Sequence, residues 1–376
     1  MRLSRLLLFC GIAVGQFALF EAGLRLKGGT EAAPAFQALF MPDDRIGYRL
    51  RPGAAARFAT PEFETDIAIN SAGVRDAEIG PKEAGERRIV VLGDSLVLAV
   101  QVPREQTFCE QLEARLNRNP AAAGHRYRVI NAGVQGYGPV EEWLFYTTVA
   151  ASFDADLVLV GLYPANDAIE AADSAFKMGG TVTEPPPMPA RERIMRVVRR
   201  IVRRSMVLQI ARLRATTFLE RLGRRAPIER PLTSYLATPP RDFVHGLDVT
   251  REAMERLIAE AAGHGGRTAL VLLPARFQVK DEDYEYLREA VEAHGDVLVR
   301  NAATERFKTA LAGLGAPVID LLPPFERHAD PASLYFESTA HFTAAGHAYV
   351  AQVIESSLLE LGLVPPAPPA SLPAER

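Results

Sequence analysis

From residue 88 onward the chain alternates short apolar runs with amphipathic stretches. Residues 88–92, 126–130, 157–162, 268–273 and 317–321 are apolar runs of strand length, and helical patterning near residues 104–117 and 140–151 separates the first three. Strands that alternate with helices in this way predict a parallel sheet covered by helices on both faces. Upstream the signals differ. Residues 43–75 carry turn pairs (Pro52-Gly53, Asn70-Ser71, Ala72-Gly73) between short runs, and the alternation over residues 65–69 predicts a small β-rich extension. Near the other end, Thr343 reads as the N-cap of a last helix that contains His347.

Two segments carry apolar patterns of another kind. Arg2 and Arg5 precede an apolar run over residues 6–20 that only Gln16 interrupts. With Ala22 to Leu24 it approaches the roughly 20 residues a bilayer requires. Glu21, Arg25 and Lys27 stand where a small-x-small cleavage site would follow, so residues 1–27 read as an uncleaved signal anchor in preference to a cleaved peptide. Arg2 and Arg5 then keep the N-terminus cytoplasmic, although Arg25 and Lys27 on the far side oppose that orientation. The second segment lies in an insertion of about residues 170–245, between the third and fourth strands. Ile194, Val197, Val198, Ile201, Ser205 and Leu208 share one helical face, and Arg193, Arg196, Arg199, Arg200, Arg203 and Arg204 occupy the other. That face either dips into a lipid surface or packs on the α/β domain with its arginines solvated; an anionic glycan is a third partner for the arginines. The domain plan is an anchor (1–27), a tether with a β-rich extension (28–85), an α/β domain with its insertion (86–365) and a Pro/Ala-rich disordered tail (366–376).

Composition narrows the function class. The chain has 376 residues, 43 basic against 46 acidic, and a mean hydropathy near zero. This excludes a many-span membrane protein and argues against a general nucleic-acid binder. Cys10 and Cys109 alone make neither a disulfide scaffold nor a cysteine metal site, and Cys109 reads as a buried free thiol. The near-neutral balance averages unlike parts, since residues 191–230 hold 13 arginines against three acids.

In a parallel α/β sheet, ligands bind beyond the carboxyl ends of the strands. Gly93-Asp94-Ser95 stands after the first strand, Asn131-Ala132-Gly133-Val134-Gln135-Gly136 after the second, Asn166-Asp167 after the third, and His341 beyond the fifth. These groups supply what acyl transfer needs. Ser95 is a hydroxyl nucleophile at a strand-to-helix turn, and His341 is a base able to take its proton. The Gly136 N–H and the Asn166 amide are donors for a developing oxyanion. Asp94 orders the turn around Ser95, and Asn131 closes a strand end. His347 reads as packed, because it lacks the i, i+4 partner of a helical metal site. Trp143 and Tyr137 read as packing residues, with Tyr137 next to the site.

Gly-Asp-Ser, Asn-x-Gly-x-x-Gly, Asn-Asp after an apolar strand and a late His, in that order, resemble the SGNH/GDSL hydrolases over about residues 87–361. The anchor, the Ile46-Gly47-Tyr48 block and Asn70-Ser-Ala-Gly-Val-Arg75 resemble the membrane-anchored bacterial members. The resemblance implies a flavodoxin-like three-layer sandwich with about five parallel strands. Ser95 is then the nucleophile, its N–H joins Gly136 and Asn166 in the oxyanion hole, and His341 is the base; Asp94, Asn131 and Asp167 are structural neighbours. No metal or organic cofactor is implied. The expected activity is serine esterase or deacylase chemistry on an O-acyl ester, in its simplest form an acetyl group, on envelope or exported polysaccharide, with the catalytic domain periplasmic at the inner membrane.

One position departs from the family pattern. Where an Asp usually stands three or two residues before the His, this chain has Ser338 and Thr339, and Glu337 is the nearest acid. A hydroxyl accepts the Nδ1–H bond but brings no charge to the imidazolium. Either Glu337 reaches the ring from a shifted loop, or a Ser95–His341 dyad works alone with a backbone carbonyl, or catalysis is weak or lost. An O-acyltransferase using the same residues and a non-catalytic protein that kept the fold are the alternative functions.

Overall fold

The apolar runs become strands where the sequence places them. In the computed structural model, which describes residues 36–120, 124–179 and 228–364, two antiparallel pairs come first. These are β1 (Phe40–Asp43) with β2 (Gly47–Leu50), and β3 (Ala55–Ala59) with β4 (Glu64–Ala68). Then follow β5 (Glu86–Gly93), β6 (Arg126–Gly133), β7 (Leu157–Leu162), β8 (Arg267–Leu272) and β9 (Val318–Asp320). The last five form one parallel sheet in the order β6-β5-β7-β8-β9. This is the doubly wound order, and its switch point lies between β5 and β7.

Side chains alternate across that sheet, and each face has its own cover. Val90, Leu92, Ile130, Val158, Val160 and Leu270 pack on one side. There they meet α3 (Pro139–Thr148), α4 (Asp167–Ser174), α5 (Arg241–Gly263) and α8 (Ala302–Leu311). Ile89, Val91, Val129, Leu159 and Val271 face the other way, against α2 (Phe108–Arg118) and α10 (Ala344–Glu360). Along the chain between α5 and α10 come also α6 (Arg276–Val279), α7 (Asp281–Glu292) and α9 (Leu322–Glu326), and α1 (Ser95–Leu98) follows β5 directly. The expected three-layer sandwich with five parallel strands is the observed architecture. Leu39, Ile46, Leu50, Phe58, Ile67 and Val74 of the extension join the first of these cores, so the two antiparallel pairs are built onto the sandwich.

Local signals explain the termini. Thr343 accepts a hydrogen bond from the Gly346 N–H and caps α10, as its sequence context predicts. His347 lies inside that helix, buried, with its Nδ1 accepting from the Phe108 N–H at 3.3 Å and its ring stacked on Phe108. Cys109 is a buried free thiol. The expected insertion of about residues 170–245 is in part integral structure. Its start continues α4 and a 3-10 turn (Ala175–Gly179), and its end holds a second such turn (Arg230–Tyr235) and the beginning of α5. The reason is burial: Phe243, Val249, Met254 and Leu257 of α5 fill the first core. The anchor, the Arg-rich helix and the tail after residue 364 lie outside the described residues. Among the described residues no helix is long and apolar enough to cross a membrane.

Candidate active site

The ends of β5, β6 and β7 bring the expected groups to one edge of the sheet. Gly93 ends β5, and Asp94 then caps α1 by accepting from the Leu96 N–H at 2.8 Å. That places Ser95 at the first turn of α1, half-buried. The backbone of α1 needs room. A Cβ on Gly133, at the end of β6, would stand 2.4 Å from the Leu98 nitrogen, so only glycine fits there. Asn131 closes the same end, donating to the Val97 carbonyl (2.8 Å) and accepting from the Gly133 N–H (3.1 Å). Arg75, buried within the extension, donates to the carbonyls of Leu98, Ala99 and Val102 and so finishes α1 from its C-terminal side.

His341 arrives from beyond β9. Its Nε2 stands 3.0 Å from the Ser95 Oγ, a hydrogen-bond distance. Its Nδ1 is buried and has no partner among the described residues. Burial pushes the His341 pKa down to about 4, so the ring is neutral at pH 7 and able to accept a proton.

Glu337 does not orient that ring. Residues 335 and 342 pair across an antiparallel bridge, and the Phe336 N–H donates to the His341 carbonyl at 3.0 Å. This closes a tight loop whose tip, Glu337 and Ser338, faces solvent. The Glu337 backbone is engaged instead: its N–H donates to Glu62 (3.0 Å) and its carbonyl accepts from Arg276. The Ser338 N–H also donates to Glu62 (3.1 Å), and its hydroxyl donates to the same carboxylate. Phe63 packs on Phe336 with ring centroids 5.5 Å apart. The turn between β3 and β4 therefore grips the histidine loop, a contact between residues more than 270 positions apart.

The oxyanion side holds a second surprise. Asn166 Nδ2 donates to Glu170 Oε1 at 3.1 Å, while its Oδ1 is buried without a partner among the described residues. Asp167 begins α4, accepts from the Tyr163 N–H at 2.6 Å, and is fully buried. Glu142, from α3, is fully buried too, and neither of its carboxyl oxygens has a partner among the described residues. Burial, reinforced by mutual repulsion among these acids, pushes Glu142 and Asp167 well above the carboxylate range. Burial and the nearby Asp94 and Glu141 carry Glu170 to about 8. With its pKa near 8, Glu170 is mostly protonated at neutral pH. A neutral Glu170 accepts weakly, so it competes weakly with a substrate oxyanion for the Asn166 amide.

Gly136 sits on the loop after β6 with φ +71°, a left-handed backbone that favours glycine. The Gln135 carbonyl just before it accepts from the Tyr48 hydroxyl of β2 at 2.7 Å. Tyr137 is buried and donates to the Tyr48 carbonyl (2.6 Å); it packs beneath the loop, as read from sequence. Sequence reasoning missed Tyr48, Glu62, Arg75 and Glu142 as members of the site. The Ile46-Gly47-Tyr48 block and Arg75 were visible as motifs, but nothing local said what they touch. A cavity of about 340 Å³ lined by Arg87, Tyr127, Leu157 and Arg267 lies at the opposite ends of the strands, away from Ser95.

Residues 91–349 match the model of the GDSL-like Lipase/Acylhydrolase family. Solved structures similar to this chain include a lipase/acylhydrolase from Enterococcus faecalis, at 12% identity and a TM-score of 0.40, covering 73% of this chain and 96% of that one. A catalytic mutant of an acetylxylan esterase from Geobacillus stearothermophilus is similar at 12% identity and a TM-score of 0.40, covering 75% and 96%. At such identities and TM-scores the likeness adds nothing to the family match. No curated protein matches the chain.

Proposed function

Because the chain belongs to the GDSL-like lipase/acylhydrolase family, and is thereby a hydrolase acting on esters, we propose that Ser95 performs the reaction through an acyl-enzyme. The observation that carries this reading is the 3.0 Å approach of His341 Nε2 to Ser95 Oγ at the switch point of the sheet. The neutral imidazole takes the Ser95 proton as Oγ attacks the ester carbonyl, and returns it to the leaving alcohol. A water, deprotonated by the same nitrogen, then attacks the acyl-enzyme, and collapse of the second tetrahedral species frees Ser95. The N–H groups of Ser95 and Gly136 and the Asn166 amide stabilise the oxyanion in both steps.

The base works as one half of a dyad. With no carboxylate on Nδ1 among the described residues, the imidazolium formed during attack gains no charge stabilisation, which slows the step relative to a triad. The unpartnered Nδ1 also favours one rival, a fold that holds an acyl ester without turning it over. Treatment of the full chain with a fluorophosphonate separates them: the dyad predicts covalent labelling of Ser95 that Ser95→Ala abolishes, and folded protein without labelling ends the enzyme reading.

The finer reading is an O-acyl ester, in its simplest form acetyl, on an exported polysaccharide. It is supported by the N-terminal apolar run behind Arg2 and Arg5, which fits anchorage with the catalytic domain outside the cytoplasm. Acetate release from an acetylated polysaccharide, compared with transfer of the acetyl group to added glycan, tests the substrate and separates hydrolase from transferase.

A further inference from the structure

We propose that Tyr48, on the β-rich extension before the α/β sandwich, is a positioning residue of the oxyanion hole: its hydroxyl fixes the peptide plane that carries the Gly136 N–H. The inference rests on the esterase reading above.

A peptide unit is planar and trans, so its carbonyl and its N–H point in opposite directions. The Gln135 carbonyl and the Gly136 N–H belong to one such unit. The Tyr48 hydroxyl donates to that carbonyl at 2.7 Å, which turns the Gly136 N–H to the side away from Tyr48. The unit would otherwise be free to rotate, because Gly136 has φ +71° and no side chain to hinder it. Among the described residues the Gly136 N–H and the Ser95 N–H have no acceptor, as donors kept for a substrate must be. The fit is close: a Cβ on Gly136 would stand 3.0 Å from the Tyr48 oxygen.

The tyrosine itself is held without help from its hydroxyl. Its carbonyl accepts from Tyr137 (2.6 Å), and its ring packs on Tyr137 and Phe40 at 5.5 and 5.8 Å. One residue pair before, the Ile46 carbonyl accepts from Lys177, which also bonds Glu141 (2.5 Å). Burial, with Glu141 and Glu170 nearby, raises the phenol pKa, so the hydroxyl keeps its proton and stays a donor. Tyr48→Phe therefore removes one hydrogen bond and little packing.

The test compares full-length wild type with Tyr48→Phe on p-nitrophenyl acetate, and measures inhibition by a phenylboronic acid, whose adduct with serine is a tetrahedral anion. Removing an oxyanion donor outright costs about 10²–10³ in kcat, so letting one swing should cost about tenfold, with KM within about twofold. The boronate Ki should rise by the same factor as kcat falls, with the melting temperature nearly unchanged. A purely structural tyrosine would lower the melting temperature without shifting kcat and the boronate Ki together. A Tyr48→Phe variant equal to wild type in kcat and boronate affinity overturns the inference alone. Wild type that neither hydrolyses the ester nor reacts with a fluorophosphonate overturns the esterase reading, and this inference with it.

Discussion

The two sides of the imidazole are built to different standards. On the Nε2 side every partner is fixed from several directions. Ser95 is held by the Asp94 cap, by the close approach of Gly133, and by Arg75 at the far end of α1. The loop that carries the proposed Gly136 donor is held by Tyr48, whose hydroxyl donates to the Gln135 carbonyl. On the Nδ1 side the ring has no partner among the described residues, and its loop is tied down by an exposed carboxylate, Glu62, and by Arg276. On the proposed mechanism, the nucleophile and the charge-stabilising donors are preorganised, and the base is left less constrained. Preorganised donors supply the largest share of acyl-transfer catalysis, so a site of this construction keeps its main asset while giving up the acid.

The largest test of this contrast removes the chemistry itself. Ser95→Ala and His341→Ala should each lower kcat on an activated ester by about 10⁴-fold or more, because the two act as one unit. Retained turnover in His341→Ala would place the base elsewhere and dissolve the comparison.

A smaller effect separates Glu62 from Glu337. Glu62→Ala frees the backbone of Glu337 and Ser338 and lets the histidine loop shift. Displacements near 1 Å can cost about 10²-fold, so a fall of about tenfold in kcat is expected. Glu337→Gln alters an exposed side chain at the loop tip and should stay within about twofold of wild type. The reverse order, measured by steady-state kinetics, would mean that Glu337 reaches Nδ1 in solution and that the ring is a full triad member.

The acid limb of the pH profile sharpens the same point. Burial without a carboxylate partner holds His341 near 4, so the limb of kcat/KM that this ring sets should lie near pH 4 and not near 6.5. Supplying an acid where the family has one, with Ser338→Asp in a Glu62→Ala background, should move that midpoint upward, since a nearby negative charge favours the imidazolium. A wild-type midpoint at or above 6.5 would show that a carboxylate already faces the ring.

Much of this was legible in the chain, for a definite reason. The strand runs, the turn ordered by Asp94, the cap at Thr343, and the order Ser95, Gly136, Asn166, His341 are local features, and a doubly wound sheet sends successive strand ends to one edge. The illegible parts are contacts between distant positions. Tyr48 meets Gln135 and Glu62 meets Ser338 through hydrogen bonds that leave no periodicity behind. Glu337 misled because spacing alone does not show which way a loop tip turns; the 335–342 bridge turns it outward. The 23-residue α5 was legible but went unread: its buried positions Phe243, Gly246, Thr250, Ala253, Met254, Leu257 and Ala261 recur at helical spacing, and the start of the helix was assigned to the insertion instead.

The oxyanion side also bears an electrostatic cost that the histidine side does not, and the pH dependence of stability should reveal it. Glu170 has a folded pKa near 8 against an ordinary 4.5, so the folded state holds its proton more tightly than the unfolded state. Its stabilising contribution is complete below about pH 4.5 and is lost as pH rises through 8. Glu142 and Asp167 push in the same direction. The histidines work in the opposite sense. Folded His341 and His347, near 4 and 3, resist protonation, so their contribution is present above about 6.5 and is lost as pH falls toward those values. Wild type should therefore be most stable between about pH 4.5 and 6.5. Glu170→Gln keeps an oxygen for the Asn166 amide but cannot ionise. Its melting temperature relative to wild type should be constant below pH 4.5, rise by a few degrees between pH 5 and 8, and level off above. Thermal unfolding of both proteins across pH 4 to 9 measures that difference. A flat difference would mean that Glu170 ionises freely, that the acids behind Ser95 are solvated, and that the two sides of the imidazole cost the fold the same.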